Sequence, residues 1–254
     1  MKILIVGHGF VGTATEYLFR KTKAEIHIYD TVKGQTGFCD EDTFDYIFLC
    51  VPTPMDYKTG KLDMSILTDA YDEWNWRGQT VIRSTIGPDQ VDLFPNAIMM
   101  PEFLREKHWK GDVDDPKLPL IVSDSDTVKK FEKMFPGKNV YYLRPKAAMM
   151  YKLSRNTILA MRVALANNLK EICDEQGVEW DTLAFMFQGE AALGYTHWQV
   201  PGNDDKPGFG GKCLPKDLTH MASLCYNDDN LLQKALDENM VRRIEWLGIR
   251  EPSY

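Results

Sequence analysis

A glycine-rich segment in the second half of the chain leads into a cysteine, an arrangement typical of a nucleophilic site. The segment spans Pro207–Asp217 and contains Cys213, and Pro215 suits the first turn of a helix beginning there. A thiol at a helix start feels the positive end of the helix dipole, and Lys212 and Lys216 add positive charge. Both effects lower the pKa of a thiol and favour the nucleophilic thiolate. Cys213 is therefore a candidate nucleophile, with a buried structural cysteine as the alternative.

Two pairs of candidate residues are spaced four positions apart along predicted helices. Asp217 comes four residues after Cys213, and Lys152 and Asn156 are four residues apart, so each pair shares a helical face. An ammonium stabilises an oxyanion, an amide orients a water or hydroxyl, and a carboxylate binds substrate or transfers protons. For Lys152 and Asn156 a solvated helical face is the alternative, since arginines are nearby on the same helix.

Further polar residues follow predicted strands. Glu102 and Glu106 come just after the strand Ala97–Met100, and Thr53 and Thr85 follow two other strands. Ligands of open α/β sheets bind beyond the carboxyl ends of the strands, so we expect these side chains to face one crevice.

The segment Gly7–Gly12 has the pattern G-x-G-x-x-G directly after a strand and before a helix. The first glycine forms the tight turn, the second lets the backbone approach a pyrophosphate, and the third allows close helix–strand packing. Asp30 ends the next strand, where an acid accepts ribose hydroxyls and repels a 2′-phosphate. The pattern predicts NAD rather than NADP, although Lys33 weakens that preference slightly. A turn that needs glycine for its geometry alone is the alternative.

Short apolar runs alternate with helical stretches up to about residue 145, which predicts a doubly wound parallel sheet with helices on both faces. We therefore expect an α/β protein with a Rossmann-type NAD-binding domain over residues 1–146. The predicted strands are Lys2–Val6, Glu25–Tyr29, Tyr46–Val51, Thr80–Ile82, Ala97–Met100, Leu118–Val122 and Val140–Leu143, and Val11–Arg20 is the first predicted helix.

A long helix is predicted from Ala147 to about Gln176, because this stretch has no Pro or Gly and repeats apolar residues at helical spacing. Its length of roughly 45 Å is typical of a helix that links domains or forms a subunit interface. Shorter helices are predicted at Asp181–Phe187, Leu214–Leu224 and Leu231–Leu247. We expect a small helical domain over residues 147–254.

Composition excludes several classes of protein. The chain has 254 residues with 30 Lys and Arg against 37 Asp and Glu, and the net charge of −7 argues against a nucleic-acid binder. Its apolar runs are far shorter than the ~20 residues that span a bilayer, and no signal peptide is predicted. Five cysteines without a C-x-x-C pair predict no metal site or disulfide framework and favour the reducing cytoplasm, with Cys39, Cys50, Cys173 and Cys225 as structural residues.

Several of these segments together resemble the UDP-glucose/GDP-mannose dehydrogenase family. They are Gly208–Asp217, Val51–Pro54, Arg83–Thr85, Pro101–Glu106 and the helix start that carries Lys152 and Asn156. The stretch His197–Gly202 that precedes the cysteine segment is most similar to the UDP-glucose 6-dehydrogenase branch. The resemblance extends over nearly the whole chain.

This resemblance implies NAD-dependent oxidation of the C6 alcohol of a nucleotide sugar, UDP-glucose to UDP-glucuronate, for polysaccharide biosynthesis. Cys213 attacks the intermediate aldehyde, a thiohemiacetal gives a thioester intermediate, and water hydrolyses it. Lys152 stabilises oxyanions with Asn156 beside it, and the long helix forms a homodimer. The residues that the resemblance implies for positioning water are Asp217, Thr85 and Glu106. Those implied for NAD binding are Gly7, Gly9, Phe10, Val11, Gly12, Asp30, Lys33, Thr53, Thr85, Glu106 and Lys216. Those implied for substrate binding are Glu102, Phe103, Leu104, Glu106, Lys152, Asn156 and Gly210.

The chain departs from the family pattern in two ways. The family continues with a third, C-terminal domain that helps to bind the nucleotide, whereas this sequence stops at Tyr254. Ala192 stands where the family usually has an arginine that reaches a neighbouring subunit's substrate. Two alternatives therefore stay open. One is a one-step β-hydroxyacid dehydrogenase, which needs no such cysteine, and the other is an NAD-binding subunit without activity of its own.

Overall fold

The computed structural model describes residues 1–36, 43–57, 59–202, 204–225 and 227–246. These form two compact units by their internal contacts. The first consists of Met1–Pro54 and Leu62–Lys152, and the second of Met55–Lys61 and the described residues from Leu153 onward. The domain boundary expected after residue 146 stays a prediction.

Strands and helices alternate through the first unit, and helices make up most of the second. In chain order the elements are β1 (Lys2–Val6), α1 (Phe10–Arg20), β2 (Glu25–Tyr29), β3 (Phe44–Leu49), β4 (Met55–Asp56), β5 (Lys61–Leu62), α2 (Ser65–Trp74), β6 (Gly78–Ile82), a 3-10 turn (Val91–Leu93), β7 (Ile98–Met99), α3 (Trp109–Asp114), β8 (Leu120–Val122), α4 (Ser125–Met134), β9 (Val140–Tyr142), α5 (Pro145–Gln176), α6 (Trp180–Gly189), α7 (Leu214–Ser223) and α8 (Leu231–Trp246).

The first unit contains a five-stranded sheet in the order β2-β1-β3-β6-β7, and its ladders are all parallel. Two further strands, β8 and β9, pair in parallel beside it with Leu120 opposite Val140. The seven predicted strands are all present. β7, β8 and β9 are shorter than predicted, β6 begins two residues earlier, and β3 is shifted two residues towards the N-terminus. The predicted fold class, a Rossmann-type α/β fold with a long helix after it, is confirmed.

Both faces of the sheet are covered, which explains the continuous apolar runs Ile3–Val6 of β1 and Tyr46–Leu49 of β3. Successive side chains of a strand point to opposite faces. Leu4 of β1 and Ile47 of β3 pack in one apolar cluster with α2, whereas Ile3 and Phe48 pack in another with α1 and α4. Polar groups for a site are therefore expected mainly from the loops that follow these strands.

Helix α5 is 32 residues long and begins at Pro145, slightly before the predicted start. A proline is tolerated there because the first turn has no N–H partner within the helix. In the second unit, α5 packs with α7 and α8 around Phe209 and Leu218, and with α6 around Trp180. The three shorter predicted helices are present. The predicted end of the last one, Leu247, lies outside the described residues, as does Cys39.

Within the part of the chain that the structure describes, no helix combines the length and the apolar content that crossing a bilayer requires.

Candidate active site

The loop between β1 and α1 is shaped by its glycines. Gly7 has a φ of 82°, and an added Cβ would lie 2.9 Å from the carbonyl oxygen of Cys50. At Gly12 the Cβ would lie 2.0 Å from the carbonyl oxygen of Gly7, so the helix and strand approach as closely as the motif predicts. Gly9 is the N-cap of α1 and has no heavy atom within 4 Å of an added Cβ. The backbone at Gly9 is therefore open to a phosphate group, with the amides of Phe10 and Val11 beginning the helix.

Asp30 lies at the end of β2 and is tied to this loop. Its carboxylate accepts a hydrogen bond from the His8 backbone N–H at 2.6 Å and from the Lys33 backbone N–H at 2.9 Å. Burial alone would raise the pKa of Asp30, but these backbone N–H groups and the Lys33 charge hold it below its usual value. The Lys33 ammonium also donates to the His8 carbonyl oxygen at 2.5 Å. Asp30 is thus an ionised acceptor, as a ribose site requires.

Two threonines connect the carboxyl ends of β3 and β6. The hydroxyl of Thr53 is buried and donates to the carbonyl oxygen of Thr85 at 2.6 Å. The neighbouring Ser84 hydroxyl donates to the carbonyl oxygen of Val51 at 2.7 Å. Thr85 itself is half-buried. The structure therefore brings Thr53 and Thr85 together, as expected for residues at adjacent strand ends.

Lys152 and Glu102 form a buried ion pair in the first unit. The distance from Lys152 Nζ to Glu102 Oε1 is 2.8 Å, and their side chains are 3% and 5% exposed. The other oxygen of Glu102 accepts the backbone N–H of Leu104 at 2.7 Å. Burial would raise the pKa of Glu102, but the Lys152 charge and these hydrogen bonds hold it below its usual range. A lysine that is buried against an ionised carboxylate suits a stabiliser of negative charge.

Arg83 is a second buried cation near Glu102. It is 5% exposed, and desolvation lowers the pKa of its guanidinium despite the nearby carboxylate. Among the described residues, its Nε and Nη1 have no hydrogen-bond partner. Arg83 and Glu102 line the same cavity, together with Asp112 and Lys138. Buried donors are nearly always satisfied, so these two nitrogens mark a place for a further polar partner.

The segment that follows Glu102 is irregular, and a salt bridge anchors it. Arg105 Nη2 donates to Asp112 at 2.5 Å, and the Arg105 backbone N–H donates to the same carboxylate at 2.7 Å. Phe103 is buried against the ring of Tyr151, with Leu104 half-buried, whereas Glu106 is exposed. Glu102 and Glu106 therefore differ sharply in their surroundings although they are four residues apart.

Asn156 and Asp217 form the corresponding polar pair of the second unit. The amide of Asn156 donates to Asp217 Oδ2 at 2.6 Å, and the two residues are 4% and 1% exposed. The second oxygen, Asp217 Oδ1, is buried and has no partner among the described residues. A buried acceptor without a partner is uncommon and marks a place for a water or a substrate hydroxyl. The structure thus pairs two of the predicted catalytic residues directly.

Cys213 is exposed and occupies the N-cap position of α7, with Pro215 in the first turn. Within the part of the chain that the structure describes, neither it nor Cys50, Cys173 or Cys225 forms a disulfide. Burial raises the pKa of the Cys50 thiol to about 11, so that cysteine is inert at neutral pH. The loop before Cys213 contains Gly210, and Lys216 is half-buried on α7. The helix start predicted at this cysteine is confirmed.

Several structural residues of the two units are not predicted from the sequence. In the first unit these are Arg83, which is buried near Glu102, and Asp112, which forms a salt bridge with Arg105. In the second unit they are Asn239 and Arg243 of α8, whose side chains bond to the loop before Cys213. Their partners are far away in the sequence, so no local pattern points to them.

Comparison with known proteins identifies the relatives of this chain. Residues 146–240 match the model of the UDP-glucose/GDP-mannose dehydrogenase family, central domain. A UDP-glucose 6-dehydrogenase of Campylobacter jejuni is 26% identical over 96% of this chain and 73% of its own length. A UDP-N-acetyl-D-mannosamine dehydrogenase of Methanococcus vannielii is 30% identical over 68% of this chain and 43% of its own length. The chain thus spans from under half to about three quarters of these two relatives, and the family resemblance predicted from the sequence is confirmed.

Solved structures share the fold. A UDP-glucose dehydrogenase of Pyrobaculum islandicum superposes with a TM-score of 0.76 at 17% identity, covering 94% of this chain and 68% of that one. A 3-hydroxyisobutyrate dehydrogenase of Mycobacterium tuberculosis has a TM-score of 0.68 at 16% identity, covering 93% of this chain and 91% of that one. At such identities the likeness establishes the fold alone. The fold therefore does not distinguish between these two kinds of dehydrogenase. The distinction has to come from the chemistry of the side chains in the site.

Proposed function

We propose that this chain, a relative of nucleotide-sugar dehydrogenases, oxidises the C6 alcohol of a nucleotide sugar to a carboxylate with NAD. UDP-glucose is the proposed substrate, because a relative that aligns over 96% of the chain is named UDP-glucose 6-dehydrogenase. The observation that carries the proposal is the buried Asn156–Asp217 pair, whose free acceptor Asp217 Oδ1 lies on the helix that Cys213 begins. A thioester pathway needs an exposed thiol, an acceptor that holds a water and a cation near the oxyanion. Cys213 offers the thiol, Asp217 Oδ1 the acceptor, and Lys152 is the proposed cation.

The proposed NAD site fits the residues present. An added Cβ at Gly9 would meet open space, so the backbone there can approach a pyrophosphate, and the ionised Asp30 can accept ribose hydroxyls. NAD, when bound, accepts a hydride in each of two oxidations. The proposed cofactor residues are Gly7, Gly9, Phe10, Val11, Gly12, Asp30, Lys33, Thr53, Thr85, Glu106 and Lys216. The Lys33 ammonium is already bonded to the His8 carbonyl, which limits its use for a 2′-phosphate and supports NAD over NADP.

In the proposed chemistry the protein's own groups handle the sugar carbon and its oxygen. The first oxidation converts the C6 alcohol into an aldehyde and releases a proton. The thiolate of Cys213 adds to the aldehyde carbon and leaves an oxyanion, for which the family resemblance assigns stabilisation to Lys152 and Asn156. The second oxidation leaves a thioester, and a water held by Asp217 attacks it. Hydrolysis breaks the carbon–sulfur bond, releases the carboxylate and restores the thiolate.

The remaining assignments follow from the family resemblance. Thr85 and Glu106 help to order the water. The proposed substrate residues are Glu102, Phe103, Leu104, Glu106, Lys152, Asn156 and Gly210. Glu102 acts on the substrate through Lys152, because its carboxylate is already bonded to that ammonium.

We also propose a homodimer through α5. Three large apolar residues of this helix, Ile158, Leu165 and Ile172, are 59%, 50% and 54% exposed and repeat every seven residues. A seven-residue apolar repeat forms one stripe on a helix and suits packing against a second helix. A second copy of the chain would bury this stripe.

The proposed function is tested by the NADH yield of the purified protein with limiting UDP-glucose and excess NAD. We expect two NADH per sugar for the wild type and for Cys225→Ser, a control at another cysteine that is not exposed. Cys213→Ser should lose this two-step yield. One NADH per substrate with Cys213→Ser unimpaired would instead establish a one-step dehydrogenase. No NADH from any nucleotide sugar, with NAD binding intact, would establish a cofactor-binding subunit.

A further inference from the structure

Two consecutive residues of the loop before Cys213, Gly208 and Phe209, are held by side chains of two helices in the second unit. The Asn239 side chain of α8 accepts the backbone N–H of Phe209 at 2.7 Å and donates to the carbonyl oxygen of Phe209 at 3.0 Å. The backbone N–H of Gly208 donates to Asn167 Oδ1 of α5 at 2.9 Å. Arg243 Nη2 of α8 donates to the carbonyl oxygen of Gly208 at 3.1 Å. Four hydrogen bonds thus fix a loop that its glycines would otherwise leave flexible.

The glycines and the helix side chains are complementary in shape. Gly208 has a φ of 75°, and a Cβ added there would lie 2.3 Å from Asn239 Oδ1. A Cβ added at Gly210 would lie 2.4 Å from Arg243 Nη2 and 2.6 Å from Asp204 Oδ2. Asn239 and Arg243 of α8 thus occupy the space that side chains at positions 208 and 210 would need, and glycine leaves that space open.

The groups that hold the loop are themselves fixed. The guanidinium of Arg243 is 20% exposed and bonds to Asp204 Oδ2 at 2.6 Å. Burial would raise the pKa of Asp204, but Arg243 holds it below its usual value, so this pair is ionised at neutral pH. Asn167 is 3% exposed and donates its amide to the carbonyl oxygen of Val163 at 2.7 Å. A loop anchored to groups of this kind keeps one conformation.

We infer that Asn239 and Arg243 are positioning residues that hold Cys213 at the N-terminus of α7. This inference rests on the proposed role of Cys213 as the nucleophile. Phe209 is 2% exposed and packs in the same cluster as Leu218 of α7, so the side chain of Phe209 connects the held backbone to the helix that Cys213 begins. The two α8 residues touch neither substrate nor cofactor in this assignment. They keep the thiol in the positive end of the α7 dipole and in reach of the aldehyde.

Two measurements, the alkylation rate of Cys213 and the NADH yield per sugar, distinguish a positioning role of these residues from a general effect on protein stability. Cys213 is already exposed, and releasing the loop should slow its alkylation by removing the field of the helix terminus. A misplaced thiol also lets the intermediate aldehyde escape, which lowers the number of NADH formed per sugar. A partly unfolded preparation would lower the rate and leave that ratio at two.

The test compares Asn239→Ala, Asn239→Asp and the control Arg242→Ala in the full chain. Asn239→Asp keeps the acceptor for the Phe209 N–H and loses the donor. The neighbouring Arg242 bonds to Glu171 of α5 and Glu238 of α8. Alkylation of Cys213 by iodoacetamide is followed by peptide mass mapping at neutral pH, and NADH and free aldehyde are measured with limiting UDP-glucose.

We expect Asn239→Ala to slow alkylation of Cys213 about threefold, the size of a helix-terminus effect, and to lower NADH per sugar from two towards one. Asn239→Asp should lie between Asn239→Ala and wild type, and Arg242→Ala should keep both wild-type values. If Asn239→Ala does not fold, Arg243→Lys takes its place, since it keeps the charge facing Asp204 and loses the guanidinium that reaches Gly208.

Wild-type alkylation and two NADH per sugar in Asn239→Ala would overturn the inference, as would equal losses in Arg242→Ala. If the wild type itself forms no NADH, the proposed function fails while the alkylation rates still decide whether α8 positions Cys213.

Discussion

Replacing Glu102 by glutamine should destabilise the first unit by about 3–5 kcal/mol, the cost of breaking a buried ion pair. Glutamine has nearly the same shape and can still accept the Leu104 backbone N–H, so the substitution removes the charge and little else. The Lys152 ammonium then stays buried, at 3% exposure, without the carboxylate that balances it.

The magnitude follows from the distance between the two charges. At 2.8 Å their attraction is about 6 kcal/mol with an effective dielectric constant of about 20. Folding has already removed water from both groups, and that cost stays for Lys152 when the carboxylate is lost. Arg83, which also interacts with Glu102, adds to the uncompensated positive charge.

A double-mutant cycle measures this interaction. Glu102→Gln, Lys152→Met and the double variant are unfolded in urea and followed by circular dichroism, with hydrogen exchange of peptides from the first unit. We expect each single variant to lower the unfolding midpoint by about 1–2 M urea. The double variant should cost about 2–3 kcal/mol less than the sum, because removing the ammonium relieves the unbalanced charge.

The pH dependence has a definite sign. The folded-state pKa of Glu102 is lowered from its usual 4.5, so its stabilisation is fully present above pH 4.5 and is lost as pH falls through the folded value. The stability difference between wild type and Glu102→Gln should therefore be constant near neutral pH and shrink below pH 4.5. A cost under about 1 kcal/mol at neutral pH, or strictly additive single variants, would refute the reasoning.

The other predictions concern the cofactor loop and the dimer. Gly12→Ala should unfold the first unit or lower its stability by several kcal/mol, because its Cβ would lie 2.0 Å from the Gly7 carbonyl oxygen. Gly9→Ala, whose Cβ would meet open space in the structure, should keep wild-type stability and weaken NAD binding at least tenfold by calorimetry. Unchanged NAD affinity in Gly9→Ala would show that pyrophosphate does not approach there. Leu165→Glu should convert a dimer to a monomer in light scattering, since it places a charge in the middle of the exposed α5 stripe, whereas Ile66→Glu on α2, a control 44% exposed, should not. A wild type that is monomeric at high concentration would contradict the dimer directly.

The sequence predicted the fold well where apolar pattern and backbone geometry decide it. Buried parallel strands have near-continuous apolar runs, and the absence of Pro and Gly in α5 leaves a long helix as the simplest interpretation. Helices α2, α3 and α4 were not delimited, although Asp124 provides a cap for α4 by accepting the Thr127 N–H. The two-residue strands β4 and β5 have no pattern long enough to detect.

The sequence predicts which residues are candidates for the site, but it does not predict which of them contact one another. The glycine loop and Asp30 form a local motif, so their geometry could be expected in detail. The contacts of Lys152 with Glu102 and of Asn156 with Asp217 join residues 50 and 61 positions apart. Such partners are brought together by tertiary packing, and a spacing rule within one helix gives only the face on which each residue lies.

The buried pairs on α5 also bear on why these polar residues are present. A helix that only had to pack would gain stability from apolar residues at Lys152 and Asn156, because desolvating a charged or polar pair offsets most of its attraction. Each of these residues is instead buried and bonded to a carboxylate. Asp217 additionally keeps a buried oxygen without a partner among the described residues. Such an oxygen lowers the stability of the fold, and an apolar residue at this position would avoid that loss. The arrangement is better explained by a reaction that uses an ammonium, an amide and a carboxylate than by the needs of folding.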